Sequence, residues 1–589
     1  MKPVRLPASA TSALPRWGLW ALGLLYILPG LFGRDPWKNE DASSFGIMWT
    51  MAHGSFNTWL APQIAGLPMP GESPLTFWIG AICIKLFGWL LGDPLAARLS
   101  TIIFFLIGSL SVWHATYLLG RRSEAQPLRL AFGGQPEPRD FGRTLADGAF
   151  LIYLGCLGLL LHSHETTAKS LQMSLVAYAI YLAVRLFDAP ATGSSTKPSN
   201  TENPNSSALH SAALLGIALG LLTLTRGWGV PVAILAGLIG LALLRQKSIA
   251  IHLLCVTLPV AIAIGGAWFV AGYYYLPEGN NYALWQEQNL QQFGWPSLHA
   301  FAYYFKYGIW FAWPAWPFAG WAVYAWRQQR KALHIALPLA FFISLSVMML
   351  LMPRPDEGVL LPLLPALVIL AAFGLPTMKR GAINAVDWFS VMTLSTCAAF
   401  IWIGWIAKET GWPAQIAKNA YKLAPGFKPG FNLTAVVIAA LGSICWILLV
   451  NWRLSRRPAV LWRAVVLSSG GVVLCWLLLM TLWLPWINYG KSYAGVAEQI
   501  NTHLPTVKQC VDTNVGPAQR ASFAYFGSVP FSALSQERCD YLLYQDNNRT
   551  KSDDAAIKRA FGGRWKLLWT GRRPSDRDER FRLYQRVGN

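Results

Sequence analysis

Along most of the chain, apolar residues come in unbroken stretches rather than at helical or alternating spacing, and many are long enough to cross a bilayer, which takes about 20 residues. They run over 17–32, 97–119, 146–162, 170–187, 208–224, 228–244, 250–275, 305–326, 334–352, 359–375, 386–406, 432–451 and 460–486, with a further candidate at 74–91. Short basic clusters lie between them: Arg121-Arg122, Arg245/Lys247, Arg327/Arg330/Lys331, Lys379-Arg380 and Arg453/Arg456/Arg457. If the basic loops face the cytoplasm, segment 97–119 enters from outside, and the basic N-terminus, with Lys2, Arg5 and Arg16, places residue 33 onward outside as well. Segment 74–91 then cannot span. It reads as a helix on the outer face, running from Pro74 to the Gly92-Asp93-Pro94 break. About thirteen spans remain, the first of them a retained span rather than a cleaved leader.

After Trp486 the pattern changes. Helical signals at Ser492–His503, Pro517–Phe526 and Asp553–Phe561 alternate with strand signals at Lys508–Thr513, Asp540–Tyr544, Trp565–Thr570 and Arg580–Arg586, which predicts a small α/β domain. The expected architecture is a polytopic all-α membrane bundle over residues 1–486, with an external first loop at 33–95 and an external α/β domain over 487–589. The Ser/Asn/Pro-rich stretch 188–207 reads as a low-complexity internal loop. No internal repeat of the kind found in many secondary transporters is visible.

Composition sharpens this picture. The 589 residues are 54% hydrophobic and 13% charged, with a mean hydropathy of +0.36, against about 25% charged in soluble domains. A soluble enzyme is excluded. Of the 77 charged residues, 26 fall in the last 103 positions, which therefore have an ordinary soluble composition. The +21 formal charge resides largely in the loop clusters and is no nucleic-acid footprint. Eight cysteines show no CxxC and no metal-ligand spacing. Six fall in apolar runs. Cys510 and Cys539 lie in the external domain, beside two strands that are plausible sheet neighbours, and are expected to form a disulfide.

The external face collects the candidate chemistry. Directly after the first span comes Gly33-Arg34-Asp35-Pro36-Trp37-Lys38-Asn39-Glu40-Asp41-Ala42, and at the outer end of 146–162 comes His162-Ser163-His164-Glu165-Thr166-Thr167-Ala168-Lys169. Glu72, Arg226, Tyr273–Tyr275, Asn280–Trp285, Arg354/Asp356/Glu357 and the Lys408–Lys428 loop share that side. Ionisable groups at membrane depth are costly and usually line a site or pair internally. Together they offer carboxylate bases and cations on one face, which a lipid-phosphate substrate would need.

Several of these motifs, in order, resemble the bacterial GT-C glycosyltransferases: Arg34-Asp35-Pro36-Trp37-Lys38 with Glu40-Asp41-Ala42, Glu72-Ser73-Pro74-Leu75 with Phe77-Trp78, His164-Glu165, Leu224-Thr225-Arg226-Gly227, Pro362 with Pro365, and Leu484-Pro485 with Lys491-Ser492-Tyr493. More narrowly they resemble the protein-mannosyltransferase-like group that includes the lipid A aminoarabinose transferases. The resemblance implies an inverting transfer of a sugar from a polyprenyl-phosphate donor, such as undecaprenyl phosphate, to a lipid, glycan or protein acceptor on the periplasmic side of the bacterial inner membrane. It also implies that the C-terminal domain is periplasmic. Matching positions put Glu40 on the family's catalytic carboxylate, although the acidic pair is reversed here. The family's phosphate-binding lysine falls on Glu72, its arginine after the acidic pair falls on Ser43, an aspartate common after His-Glu is replaced by Lys169, and Val359 stands near the place of an aromatic.

Sugar transfer needs a base for the acceptor hydroxyl and cations for the departing phosphate. Glu40 or Asp41 is the expected base, with Glu165 assisting; Arg34, Asp35, Lys38, His162, His164, Lys169 and Arg226 are the expected substrate contacts. No cofactor or metal is required by that chemistry, and His162/His164/Glu165 read as a hydrogen-bonded group rather than a metal site. The rival reading is a transporter or flippase of lipid-linked sugar.

Overall fold

The structure is a computed structural model that describes residues 4–129, 133–188, 204–276, 281–454, 461–505, 509–532, 539–547, 561 and 564–587. Among these, nine helices are long and apolar enough to cross a membrane: Asp93–Arg121, Ala168–Asp188, Ser207–Arg226, Lys247–Tyr275, Leu333–Leu350, Glu357–Thr377, Gly381–Thr410, Leu433–Arg453 and Val465–Leu482. They fall on nine of the thirteen expected spans. The other four, 17–32, 146–162, 228–244 and 305–326, fall on shorter or interrupted helices: Arg16–Ile27, Pro138–Gly155 with Leu157–His162, Gly229–Arg245, and Leu298–Phe311 with Ala315–Ala325. The polar stretch 188–207 lies mostly outside the described residues, but its end is helical, because Pro204 opens the helix Pro204–Arg226.

Helix Leu364–Gly374 is apolar on every side and every residue of it is buried, so it forms the centre of the bundle. Around it, Asp93–Arg121 packs extensively on Pro138–Gly155 and Ala168–Asp188. Small residues permit the approach: a Cβ at Gly120 would stand 2.8 Å from Gly142 Cα. At the periphery, Gly381–Thr410 and Leu433–Leu454 keep large apolar side chains exposed, among them Trp388, Phe400, Leu441 and Ile447.

Segment 74–91 is a single helix, Leu75–Leu91, stopped by Gly92 at φ +78° and followed at once by Asp93–Arg121. One face, with Phe77, Ala81 and Ile84, is buried against helices Glu40–His53 and Asp93–Arg121, while Leu86, Phe87, Trp89 and Leu90 are exposed.

The segment between helices Glu40–His53 and Leu75–Leu91 also holds a two-stranded hairpin, β1 (Gln63–Ile64) and β2 (Leu67–Pro68). In the C-terminal domain, β3 (Val511–Thr513), β4 (Tyr541–Asn547), β5 (Arg564–Gly571) and β6 (Glu579–Val587) form one sheet in the order β3-β4-β6-β5. β3 and β4 run parallel with Val511 opposite Tyr541, and the other pairs are antiparallel. Helices Ala494–His503 and Pro517–Phe526 cover one face through Val496, Ile500 and Phe523. The expected disulfide is present: Cys510 and Cys539 immediately precede or flank the paired starts of β3 and β4, with their Cα atoms 5.2 Å apart. The expected helix Asp553–Phe561 lies outside the described residues apart from Phe561.

Candidate functional site

The acidic pair opens helix Glu40–His53, where negative charge offsets the helix dipole. Asn39 precedes it at φ +70°, a conformation that Asn adopts more readily than most residues. Consecutive helical side chains diverge by about 100°, so the two carboxylates enter different surroundings.

Asp41 points into the protein and is 2% exposed. Its Oδ2 accepts from Arg98 (3.2 Å), Arg34 (3.5 Å) and the Trp37 backbone N–H (3.1 Å), and its Oδ1 accepts from the Thr166 N–H (2.9 Å) and hydroxyl (3.0 Å). Burial alone would raise its pKa, but Arg98 and Arg34 with the two N–H donors outweigh it and hold the group at about 2. Both arginines are themselves buried. Arg34 also donates to His164 O (3.2 Å) and stacks 3.8 Å over Trp37, and Arg98 donates to Asp35 O (2.7 Å). Burial and the neighbouring Arg98 lower Arg34 to about 10, which leaves it cationic. His164 is fully buried: Nδ1 lies 2.7 Å from Leu160 O, and Nε2 lies 2.9 Å from Tyr26 O and 3.1 Å from Trp476 Nε1. Burial, with both arginines nearby, brings its pKa down to about 3. The side chain of Asp35 is raised by burial.

Glu40 points the other way, into an open cluster. Its carboxylate lies 2.7 Å from Lys169 Nζ, which also donates to Asp356 (3.0 Å), and Asp356 lies 3.5 Å from Arg226. The Lys169 chain passes over Gly358, where a Cβ would stand 2.3 Å from its Cδ and would displace the lysine. Gly358 N–H in turn donates to Asp356 (3.1 Å). Although burial raises Asp356, Lys169 and Arg226 bring it below the usual carboxylate range. Glu72 belongs to the same cluster: burial and Glu40 push its carboxyl up, against Arg226 and Lys169.

Beside this cluster an apolar cavity of about 380 Å³ runs between helices Leu298–Phe311, Leu333–Leu350 and the segment after Asp356. Tyr304, Phe311, Met349, Leu360 and Leu367 line it, and Tyr304 feels the charges of Asp356 and Arg226.

The remaining expected residues stand apart. His162 and Glu165 pair at 3.1 Å, as the hydrogen-bonded reading of that segment anticipated, and His164 faces away from them into the core. Lys38 is exposed and reaches 3.9 Å from Asp576 in the C-terminal domain. Among the described residues no group of three His, Cys, Asp or Glu is arranged to hold a metal.

Two residues that the sequence reading did not single out organise the site. Arg98 lies inside the apolar run 97–119, and an arginine at that depth was itself the signal. Thr166 was read only as part of the His-Glu segment.

No protein-family model matches the sequence, and no curated protein does. Solved structures do. ArnT from Cupriavidus metallidurans bound to undecaprenyl phosphate superposes with a TM-score of 0.65 at 14% identity, over 96% of this chain and 97% of that one. Its apo form gives 0.63 at 16% identity, over 97% of each chain. The chain has an ArnT-like GT-C fold. At such low identity the likeness establishes the fold over nearly the whole length, C-terminal domain included, and the chemistry has to be argued from this chain's own residues.

Proposed function

We propose that the protein is a membrane glycosyltransferase that moves a sugar from a polyprenyl-phosphate donor to a hydroxyl acceptor on the outer face of the bacterial inner membrane, with inversion. The observation that carries this reading is the Glu40–Lys169–Asp356–Arg226 cluster at the edge of an apolar cavity. A lipid phosphate needs an apolar channel and cations beside it, and a sugar acceptor needs a carboxylate near those cations. The undecaprenyl phosphate bound by ArnT supports the same donor class.

In this mechanism Lys169 and Arg226 hold the donor phosphate, and Glu40 takes the acceptor proton. The acceptor oxygen bonds to the anomeric carbon as the bond from that carbon to the phosphate oxygen breaks, and the electron pair leaves with polyprenyl phosphate. Glu40 is the base because its carboxylate is exposed, whereas the Asp41 oxygens are occupied by five donors. Asp41, Arg34, Arg98 and His164 instead form the platform beneath it. Lys169 holds Glu40 until donor phosphate draws the ammonium away, which ties release of the base to donor binding.

Full-length protein in detergent, given a polyprenyl-phosphate sugar and monitored for released polyprenyl phosphate, tests the reading. Turnover is expected from wild type and not from Glu40→Gln. Movement of lipid-linked sugar between leaflets without cleavage would replace the reading with a transporter.

A further inference from the structure

Helix Glu40–His53 is held at its first turn through Asp41 and along one face by helix Leu75–Leu91, where Phe45, Met48 and Met51 pack on Phe77, Ala81 and Ile84 and Trp49 Nε1–H donates to Asp93 (3.1 Å). Its other face is held by the C-terminal domain. Helix Pro517–Phe526 crosses it so closely that a Cβ at Gly46 would stand 2.4 Å from Ala521 Cβ. Tyr525 meets Phe45 and Trp49 edge-on, at 5.0 and 5.8 Å between ring centres. Arg520, 3% exposed, reaches past the helix to the β1–β2 turn and donates to Ile64 O (3.2 Å) and Ala65 O (2.7 Å). Ala65 sits at φ +44°, and the Thr50 hydroxyl of the acidic helix accepts its N–H at 3.1 Å. The hairpin leads on to Gly71 and Glu72, so two of the three carboxylates of the open cluster, Glu40 and Glu72, belong to segments gripped by one helix of the C-terminal domain.

We infer that the C-terminal domain is a positioning module for the transfer site: Arg520 and Ala521 set where helix Glu40–His53 and the β1–β2 hairpin stand, and so where Glu40 and Glu72 face Lys169 and Arg226. The inference rests on the transferase reading for the role of Glu40, but the mechanical coupling stands on the contacts alone. Arg520 and Ala521 touch no substrate and act through the acidic helix.

Full-length Ala521→Leu protein in lipid nanodiscs wedges the two helices apart. A displacement of about 1 Å at a reacting group costs up to about a hundredfold in rate; kcat should fall at least about tenfold on that scale, with the donor KM held within about twofold because Lys169 and Arg226 stay on the bundle. Amide hydrogen exchange over 40–53 should quicken in the same protein. Tyr525→Ala, which removes contact without adding bulk, should move both readouts the same way by less, and it keeps the test open if Ala521→Leu does not fold. Faster exchange with wild-type kcat, or unchanged exchange in Tyr525→Ala, overturns the inference. If wild type consumes no donor, the transferase reading fails instead, and the exchange measurement still decides the coupling.

Discussion

Beneath Asp41 the protein is closed: two arginines, two backbone N–H groups and a threonine hydroxyl fill one carboxylate, and a neutral histidine and a tryptophan seal the layer below. One residue earlier, around Glu40, it is open: three carboxylates and two cations share a cleft, and side chains there keep a third or more of their surface exposed at Asp356 and over half at Glu40. The same helix start supplies both regions. A buried carboxylate with both oxygens occupied serves rigidity, whereas an exposed, incompletely matched one can exchange its partners for a phosphate or a hydroxyl.

The largest effect is expected in the closed region. Asp41→Asn leaves Arg34 and Arg98 buried without the carboxylate they share, and removing one partner of a buried ion pair costs about 3–5 kcal/mol. The variant should lose several degrees of thermal stability and its activity together. An Asp41→Asn protein that melts like wild type but transfers no sugar would erase the contrast and make Asp41 the base.

Glu40→Gln should do the reverse. The carboxylate is exposed, so thermal stability stays within about 0.5 kcal/mol, while turnover falls by about a hundredfold or more, the usual worth of a general base. Released polyprenyl phosphate measures the rate, and retention of donor by the variant in a binding assay separates chemistry from binding.

How much of this contrast was legible beforehand follows from what each signal depends on. Apolar runs need only a bilayer, so nine helices long enough to span one and the C-terminal α/β fold, with its Cys510–Cys539 bridge, could be read from the chain. Of the four remaining spans two are single short helices, and two break at Gly155-Cys156 and at Trp313-Pro314, where hydropathy does not register a break. The acidic pair was legible as a pair, but not its division of labour, because Arg98 and Thr166 reach Asp41 from 57 and 125 positions away. Arg34 and His164, expected on the substrate, are buried in the platform for the same reason. Lys169 reaches Glu40 and Asp356 from the first turn of helix Ala168–Asp188.

Acid should weaken the closed region before it touches Asp41. The His164 pKa is brought from its ordinary value near 6.5 to about 3 by burial, so the unfolded chain takes up a proton that the folded one refuses. Stability is therefore complete above pH ~6.5 and falls as pH drops toward 3, by about 2 kcal/mol at pH 5. Asp41, also depressed, to about 2, adds its own loss only below pH ~4. Thermal unfolding of wild type between pH 7.5 and 5 should show this slope, and His164→Asn should flatten it; equal slopes in both proteins would mean that the histidine is not held neutral.

The smallest effect sharpens the open side. The Lys169 side chain is buried, at 6% exposed, and its ammonium is shared between Glu40 and Asp356. Methionine would keep the apolar stem against Gly358 and remove only the charge. Because both carboxylates reach solvent, the folded state should tolerate the loss, unlike the loss of charge at Asp41. Donor phosphate, however, would face Arg226 alone and a cluster more negative by one unit. Lys169→Met should therefore weaken donor binding by about tenfold, or ~1.4 kcal/mol, and this difference should shrink at high salt, since screening acts on the open cluster and hardly on a buried pair. Titration of the purified variant with polyprenyl phosphate at low and high ionic strength reads both quantities. Unchanged affinity at low salt would remove Lys169 from the phosphate site and leave it as a structural tether of Glu40, which would make the cleft as self-contained as the platform beneath Asp41.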